Sequence, residues 1–261
     1  MDILDTLKSL GGYWHYEGGK YLAQLTSGKV SDTYINAAVL TSSPFYLEDA
    51  ARNMIRNLRR ELFPENQIMN LYGHWKNLHV CGPAMGGVTI AYEVARQLGG
   101  TAVFTEPEYS VLTEGAVQKA GQKLKRFDIP NNASVLFVED VLTTGKSTIE
   151  MVKAARKTFT GCGCNGDCGC PRTKCLPYVL CLVNRSGSNE LEFTSLSNEE
   201  RAKPWKIVSL ASVNARTWAR VDEIEEDFWI HYATIAGGIQ NRMIVESVRP
   251  KENWKLLTGG K

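Results

Sequence analysis

The sequence predicts an α/β fold: a central parallel sheet covered by helices on both faces. Three observations predict it. Strand-length apolar runs alternate along the chain with segments of helical periodicity. The run ASVLFV (133–138) is almost continuously apolar, as in a strand buried on both faces. The chain has 261 residues, 43% of them hydrophobic, enough for one domain with a large core or one domain plus additions.

The elements follow in order. ILDTLKSL places Ile3, Leu7 and Leu10 on one helical face, and FYLEDAARNMIRNLRREL (45–62) places Ala51, Met54, Ile55, Leu58 and Leu62 at helical spacing. LHVC (78–81) reads as a short strand. GVTIAYEVARQLGG is a helix with Ala91, Val94, Ala95 and Leu98 inward, stopped by its glycines. TAVF (101–104) and ASVLFV are strands, STIEMVKAARKTF is a helix, and YVLCLV and KIVSL are further strands. Two stretches break the alternation: the polar, basic segment 105–132 and a cysteine cluster. A long polar excursion inside a compact α/β domain is usually a functional flap or a disordered insert.

Composition narrows the function. Thirty basic and 28 acidic residues leave a net charge of +2, without the basic excess of a nucleic-acid wrapping surface. The start, MDILDTLKSL, lacks the charged-then-apolar pattern of a secretion signal, and no apolar run is long enough to span a bilayer. A soluble cytoplasmic protein is expected, with no membrane and no specific nucleic acid as partner.

The segment SVLFVEDVLTTGKST (134–148) carries the chemistry. A nucleotide-triphosphate loop of the form G-x-x-x-x-G-K-[ST] would need glycine at position 140, which is Asp140. The layout still suits a phosphate. A buried strand ends in Glu139-Asp140, and a turn of small residues, Thr143-Thr144-Gly145, opens a helix at Lys146-Ser147. Free amides and hydroxyls there can nest one phosphate group. The two carboxylates suit sugar hydroxyls, a metal or a developing positive charge. A phosphorylated sugar meets all these demands; the plain alternative is a strand–helix turn capped by threonine.

VLFVEDVLTTGKST resembles the phosphoribosyl-pyrophosphate (PRPP) signature of type I phosphoribosyltransferases. CGPAMGGVTIAYEVARQLG (81–99) is similar to that family's pyrophosphate loop and following helix. LTSGKVSDTYIN (25–36) resembles the N-terminal stretch of its orotate branch, and Arg185 in LVNRSG falls where the family usually has Asp-Arg after a strand. The resemblance covers roughly residues 15–190 and implies the type I phosphoribosyltransferase fold, with a small hood and a flexible loop. The expected organisation is a single domain over 1–261, with its core at about 15–190, a cysteine-rich insertion at 161–175 and a C-terminal extension at 191–261. The resemblance implies transfer of phosphoribosyl from PRPP to a nitrogenous base with Mg²⁺, most simply orotate to orotidine 5′-monophosphate, in a homodimer. Purine, uracil or nicotinate-type acceptors, or a non-catalytic PRPP-sensing regulator, are the alternatives.

By the same resemblance, Gly82, Pro83, Ala84, Met85, Gly86 and Gly87 approach the pyrophosphate. Val141, Leu142, Thr143, Thr144, Gly145, Lys146 and Ser147 cradle the 5′-phosphate, Lys146 being equally readable as a solvated lysine. Glu139 and Asp140 hold the ribose hydroxyls and face the cationic carbon. Ser27, Gly28, Lys29, Tyr34, Ile35 and Asn36 line the base cleft, and Arg185 pairs with the base or forms an ordinary salt bridge. The sequence departs from the family in two places. No basic residue lies between Thr101 and Gln118; the charge comes later, at Lys119, Lys123, Lys125 and Arg126. LKRFDIP resembles a basic segment of some relatives, so Lys125 and Arg126 are expected to neutralise pyrophosphate when the loop closes. The pyrophosphate turn also has Met85-Gly86 where many relatives have lysine.

The cluster CGCNGDCGCPRTKC is outside the family pattern. Cys162, Cys164, Cys168, Cys170 and Cys175 are spaced C-x-C-x₃-C-x-C-x₄-C, with glycines between them. In a reducing compartment such dense thiolates favour a soft metal. Structural Zn²⁺ on four of the five is the leading expectation. Disulfides, an iron–sulfur cluster or a disordered loop are the other readings. Cys81 and Cys181 read as core. The tail from 186 holds Trp205, Trp218, Trp229 and Trp254 and reads as a packed extension, closing over the cleft or making a dimer contact; His231 reads as structural.

Overall fold

The computed structural model describes residues 2–25, 27–65, 69–111, 117–157, 174–192, 204–229 and 246–259. The chain divides into two compact units, residues 41–213 and residues 2–40 with 214–261.

The first unit is the α/β body. Helix α3 (Pro44–Leu62) precedes β5 (Leu78–Pro83), α4 (Gly86–Leu98) and β6 (Thr101–Val111). Then come β7 (Val117–Lys123), β8 (Ser134–Leu142), α5 (Lys146–Lys157), β9 (Lys174–Asn184), β10 (Glu190–Leu191) and β11 (Trp205–Ser212). The sheet order is β10-β11-β9-β8-β5-β6-β7. The five strands from β11 to β6 are parallel, and the short outer strands β10 and β7 are antiparallel to their neighbours. Parallel neighbours need crossovers, which α4 supplies between β5 and β6.

Each strand of the middle sheet feeds both layers. Val135 and Phe137 of β8 join Cys81, Val103, Val179 and Cys181 in one core, closed by Met151, Val152 and Ala155 of α5. The alternate residues Leu136 and Val138 are also buried, on the opposite face, where α4 packs on β5, β6 and β8 and α3 packs on α4, β9 and β11. Burying both faces is why these strands are almost wholly apolar. Helix α4 stops where glycine allows it: Gly99 has φ +71 and its amide bonds Ala95 O.

The segment expected as a flap is more ordered than its polarity suggests. β6 runs on to Val111, and with β7 it forms an antiparallel hairpin with a bulge at Glu108/Tyr109. Leu124 and Ile129 beyond it are buried in the α5 core. Residues 112–116 lie outside the described residues, as do Cys162, Cys164, Cys168, Cys170 and His231. Cys175 is described: it sits in β9 opposite Val135, packed against the core.

The second unit joins both chain ends. It holds α1 (Ile3–Ser9), β1 (Tyr13–His15), β2 (Tyr21–Gln24), β3 (Val30–Ser31), β4 (Thr33–Ile35) and the turn of α2 (Ala38–Thr41). The C-terminal segment adds β12 (Thr217–Trp218), β13 (Glu246–Val248) and α6 (Pro250–Leu257). β12 and β13 flank the N-terminal strands in the order β12-β3-β2-β13, while β1 pairs with β4. Trp14, Tyr16, Leu22 and Val30 pack with Trp218, Ile224, Phe228 and Leu257. Among the described residues no helix is long and apolar enough to cross a membrane.

Candidate active site

Three loops meet the C-terminal ends of adjacent parallel strands. Residues 82–87 leave β5, 139–147 leave β8, and Arg185 follows β9. Ligands of open α/β sheets bind at such ends. Backbone bonds anchor two of them: Arg185 N donates to Leu142 O of β8 at 2.7 Å, and Ala84 N to Thr105 O of β6 at the same distance.

The first loop is tight. A Cβ on Gly82 would overlap the carbonyl of Gly87, and one on Gly87 would overlap the Pro83 ring. The Ala84–Met85 peptide is cis. Helix α4 starts at Gly86 with no side-chain cap from Met85, which is 85% exposed. An uncapped helix start with small residues leaves amides accessible to an anion.

The second loop carries two acids that are neighbours in sequence. Successive strand residues point to opposite faces. Glu139 shares the face of Val135 and Phe137, toward α5. It is 5% exposed, and its Oε2 accepts from Ser147 Oγ at 3.0 Å and Thr148 Oγ1 at 3.2 Å. Burial, then the charge of Asp140, push its carboxyl above the usual range, against the smaller opposing pull of the two hydroxyls. Asp140 lies beside it, its carboxyl within side-chain hydrogen-bonding reach of Glu139. It is half-buried, its Oδ1 accepts from Val141 N at 2.7 Å, and a Cβ on Gly86 would overlap its carboxylate. A carboxylate at the start of α4 also complements the helix dipole.

The expected phosphate turn follows. Thr143, Thr144 and Lys146 are exposed. Gly145 has φ +71, a backbone that disfavours a side chain, and a Cβ there would overlap Leu191. Thr144 Oγ1 accepts from Lys146 N at 3.4 Å, and Ile149 N bonds Gly145 O at 2.9 Å, starting α5. In the third loop Asn184 is 2% exposed. It accepts from the Ser186 amide at 2.9 Å and its Nδ2 donates to Ser188 O at 2.7 Å, which fixes the turn carrying half-buried Arg185.

The remaining expected residues lie elsewhere. Lys125 is exposed, with Nζ 3.1 Å from Pro107 O, and Arg126 pairs with Glu106 at 2.8 Å, so both close the base of the β6–β7 hairpin. Ser27, Gly28 and Lys29 are exposed in the turn between β2 and β3, and Tyr34 and Ile35 are half-buried in β4, all in the second unit. Sequence reasoning missed three residues. Thr148 holds Glu139, Asn184 organises the Arg185 turn, and Thr105 lies wholly buried beside Ala84 with its hydroxyl unbonded among the described residues. The signal for Thr105 was a polar residue directly ending the strand TAVF.

Two adjacent acids, two small-residue turns and an uncapped helix start at one strand edge suit a phosphorylated sugar bearing a second anionic group. Residues 48–158 match the phosphoribosyl transferase domain. Curated relatives named orotate phosphoribosyltransferase are among the proteins this chain is similar to. That of Thermoanaerobacter sp. (strain X514) is 38% identical over 143 residues, 53% of this chain and 63% of the relative. That of Caldanaerobacter subterraneus subsp. tengcongensis is 38% identical over 133 residues, 51% of this chain and 57% of the relative. The chain thus spans less than two thirds of the length of these relatives. A solved orotate phosphoribosyltransferase from Aeropyrum pernix aligns at 21% identity with a TM-score of 0.49, over 81% of this chain and 93% of that one.

Proposed function

We propose that this chain transfers the phosphoribosyl group of PRPP to orotate, giving orotidine 5′-monophosphate and pyrophosphate. One observation carries the reading: the Gly82–Gly87 and Thr143–Ser147 turns flank the Asp140 carboxylate at the C-terminal edge of adjacent parallel strands. The bond from the anomeric carbon to pyrophosphate breaks as a ring nitrogen of the base bonds to that carbon. Negative charge grows on the leaving group and positive charge on the ribose. The amides at the start of α4 meet the first, and Asp140 meets the second and holds ribose hydroxyls. The Thr143–Ser147 turn holds the 5′-phosphate. Glu139 acts behind it, fixing the hydroxyls of Ser147 and Thr148 so that the turn keeps its shape.

Asp140 is a half-exposed oxygen donor of the kind Mg²⁺ prefers, so it fits the ion that accompanies PRPP in such enzymes. When bound, the ion supplies charge neutralisation on pyrophosphate and ribose oxygens. Ser27, Gly28, Lys29, Tyr34, Ile35 and Arg185 serve the base, and Lys125 and Arg126 the leaving pyrophosphate. A structural Zn²⁺ on four of the clustered cysteines, a homodimer and a cytoplasmic location complete the reading. The test is pyrophosphate release from PRPP with Mg²⁺ across a panel of bases. Release with orotate well above release with adenine, uracil or nicotinate supports it; release with none of them would make the protein a PRPP-binding regulator instead.

A further inference from the structure

The second unit contains a pocket of about 330 Å³, built from both ends of the chain. Leu25 and Gly28 form one rim, at a turn closed by Gly28 N to Leu25 O (2.9 Å) and Leu25 N to Lys29 O (2.8 Å). Tyr34 forms an aromatic wall, held by Trp254 of α6 with ring centroids 6.1 Å apart. The other rim is Arg249, Lys251 and Glu252, at the start of α6.

The chemistry of this pocket is specific. Its size suits a single-ring ligand. Its aromatic wall suits a planar one. Its charged rim carries two cations against one carboxylate, so it favours an anion. Arg249 and Glu252 make only a 3.5 Å pair, with side chains 68% and 65% exposed, weak enough for a ligand carboxylate to replace Glu252. Gly28 leaves its rim open, since a Cβ there would meet nothing within 4 Å.

We propose that Arg249 and Lys251 are specificity-determining residues that recognise the carboxylate of a planar, single-ring acceptor base lying against Tyr34. The inference rests on the phosphoribosyl-transfer reading for the identity of that ligand. It gives the C-terminal segment a direct part in choosing the base. A base of the same ring without the carboxylate, such as uracil, gains nothing from the two cations. Guanidinium suits the planar carboxylate in bidentate fashion, and the lysine adds a point charge.

The test uses the full-length protein and the variants Arg249→Ala, Lys251→Ala and the pair, with folding checked by circular dichroism. Steady-state kinetics give KM for orotate and for PRPP, and relative rates with orotate and uracil. Orotate binding is measured separately by calorimetry in the presence of Mg²⁺ and pyrophosphate. Each single variant should raise KM for orotate or weaken its binding roughly tenfold, as expected for loss of one charge-assisted contact. KM for PRPP should stay within about twofold, and Lys251→Arg should retain most of the affinity. Unchanged orotate affinity in the double variant overturns the proposal, as does a rise confined to KM for PRPP. If the wild type binds orotate and the double variant does not, yet neither releases pyrophosphate, the pocket assignment stands and the transferase reading fails.

Discussion

Glu139 and Asp140 show how a strand assigns different work to adjacent identical chemistry. Glu139 holds the hydroxyls of Ser147 and Thr148, while Asp140 beside it reaches the start of α4. Asp140→Asn keeps the shape and removes the charge. It should lower kcat by roughly 10²- to 10³-fold, the scale of losing one preorganised electrostatic contact. Thermal stability should change little, because the group is half-exposed and its helix-dipole contribution is only about 0.3–1 kcal/mol. Turnover near the wild-type rate would remove Asp140 from the reaction. Glu139 has a different signature. Burial raises its folded carboxyl pKa above the unfolded value of about 4.3, so the folded chain holds a proton that the unfolded chain releases. Stability from this group is therefore full at acid pH and declines as pH rises from the ordinary glutamate range through the raised folded value. Glu139→Gln cannot ionise, so its melting temperature should fall less steeply over that interval than the wild type's. Parallel melting curves from pH 4 upward would show whether the two slopes differ.

At the scale of elements, the turns depend on the absence of side chains. Gly86→Ala places a methyl group where the Asp140 carboxylate lies, while the helix after it would accept alanine readily. Activity should drop at least tenfold with little loss of stability, a combination that PRPP kinetics and thermal melts would reveal together. The hairpin makes a contrasting case. Lys125 and Arg126 close its base through Pro107 O and Glu106, both exposed contacts of small energetic weight. Replacing both with alanine should leave the melting temperature within a few degrees. If they neutralise the leaving group, kcat should fall by tenfold or more, while binding of a simple 5′-phosphate is spared; normal turnover would leave them a structural role only. The cysteine insertion is tested by metal analysis: about one zinc per chain is expected from four-thiolate coordination, and folded, reduced, metal-free protein would contradict it. The sequence made the middle strands and α3 to α5 legible because their apolar residues keep one period over many positions. It hid the far half of β6 because EPEYSV carries no apolar period, and only the partner β7 makes it a strand. The strand–turn–helix of VEDVLTTGKS was legible in the sequence, but the burial of Glu139 against α5 was not, since it depends on which helix covers that face.

The whole molecule depends on its two ends. β2 and β3 are four and two residues long, too short to fold as a hairpin alone. They gain their outer neighbours from far along the chain, Trp218 opposite Val30 and Glu246 opposite Tyr21. Ser31 Oγ donates to Arg216 O at 2.8 Å, Arg216 N donates to buried Asp32 at 3.0 Å, and Trp14 Nε1 donates to Leu257 O at 3.0 Å. Such distant pairings leave no periodic trace, which is why the tail read only as a packed extension. They also give part of the stretch SGKVSDTYIN a structural duty: Ser31 and Asp32 hold the returning chain. Trp218 sits where the ends join. It is 6% exposed, pairs through β12 with β3, packs edge-on against Phe228 at 4.8 Å, and donates Nε1 to Glu225 at 2.6 Å. Trp218→Ala removes that packing and should cost about 3–5 kcal/mol within this unit. Because the core is shared, the loss should appear at the other end of the sequence. Hydrogen exchange should accelerate across 13–35 as well as 217–229, while amides of β5 and β8 in the other unit keep their protection. If exchange rises only near residue 218, the N-terminal strands hold themselves together and the two ends do not form one cooperative structure.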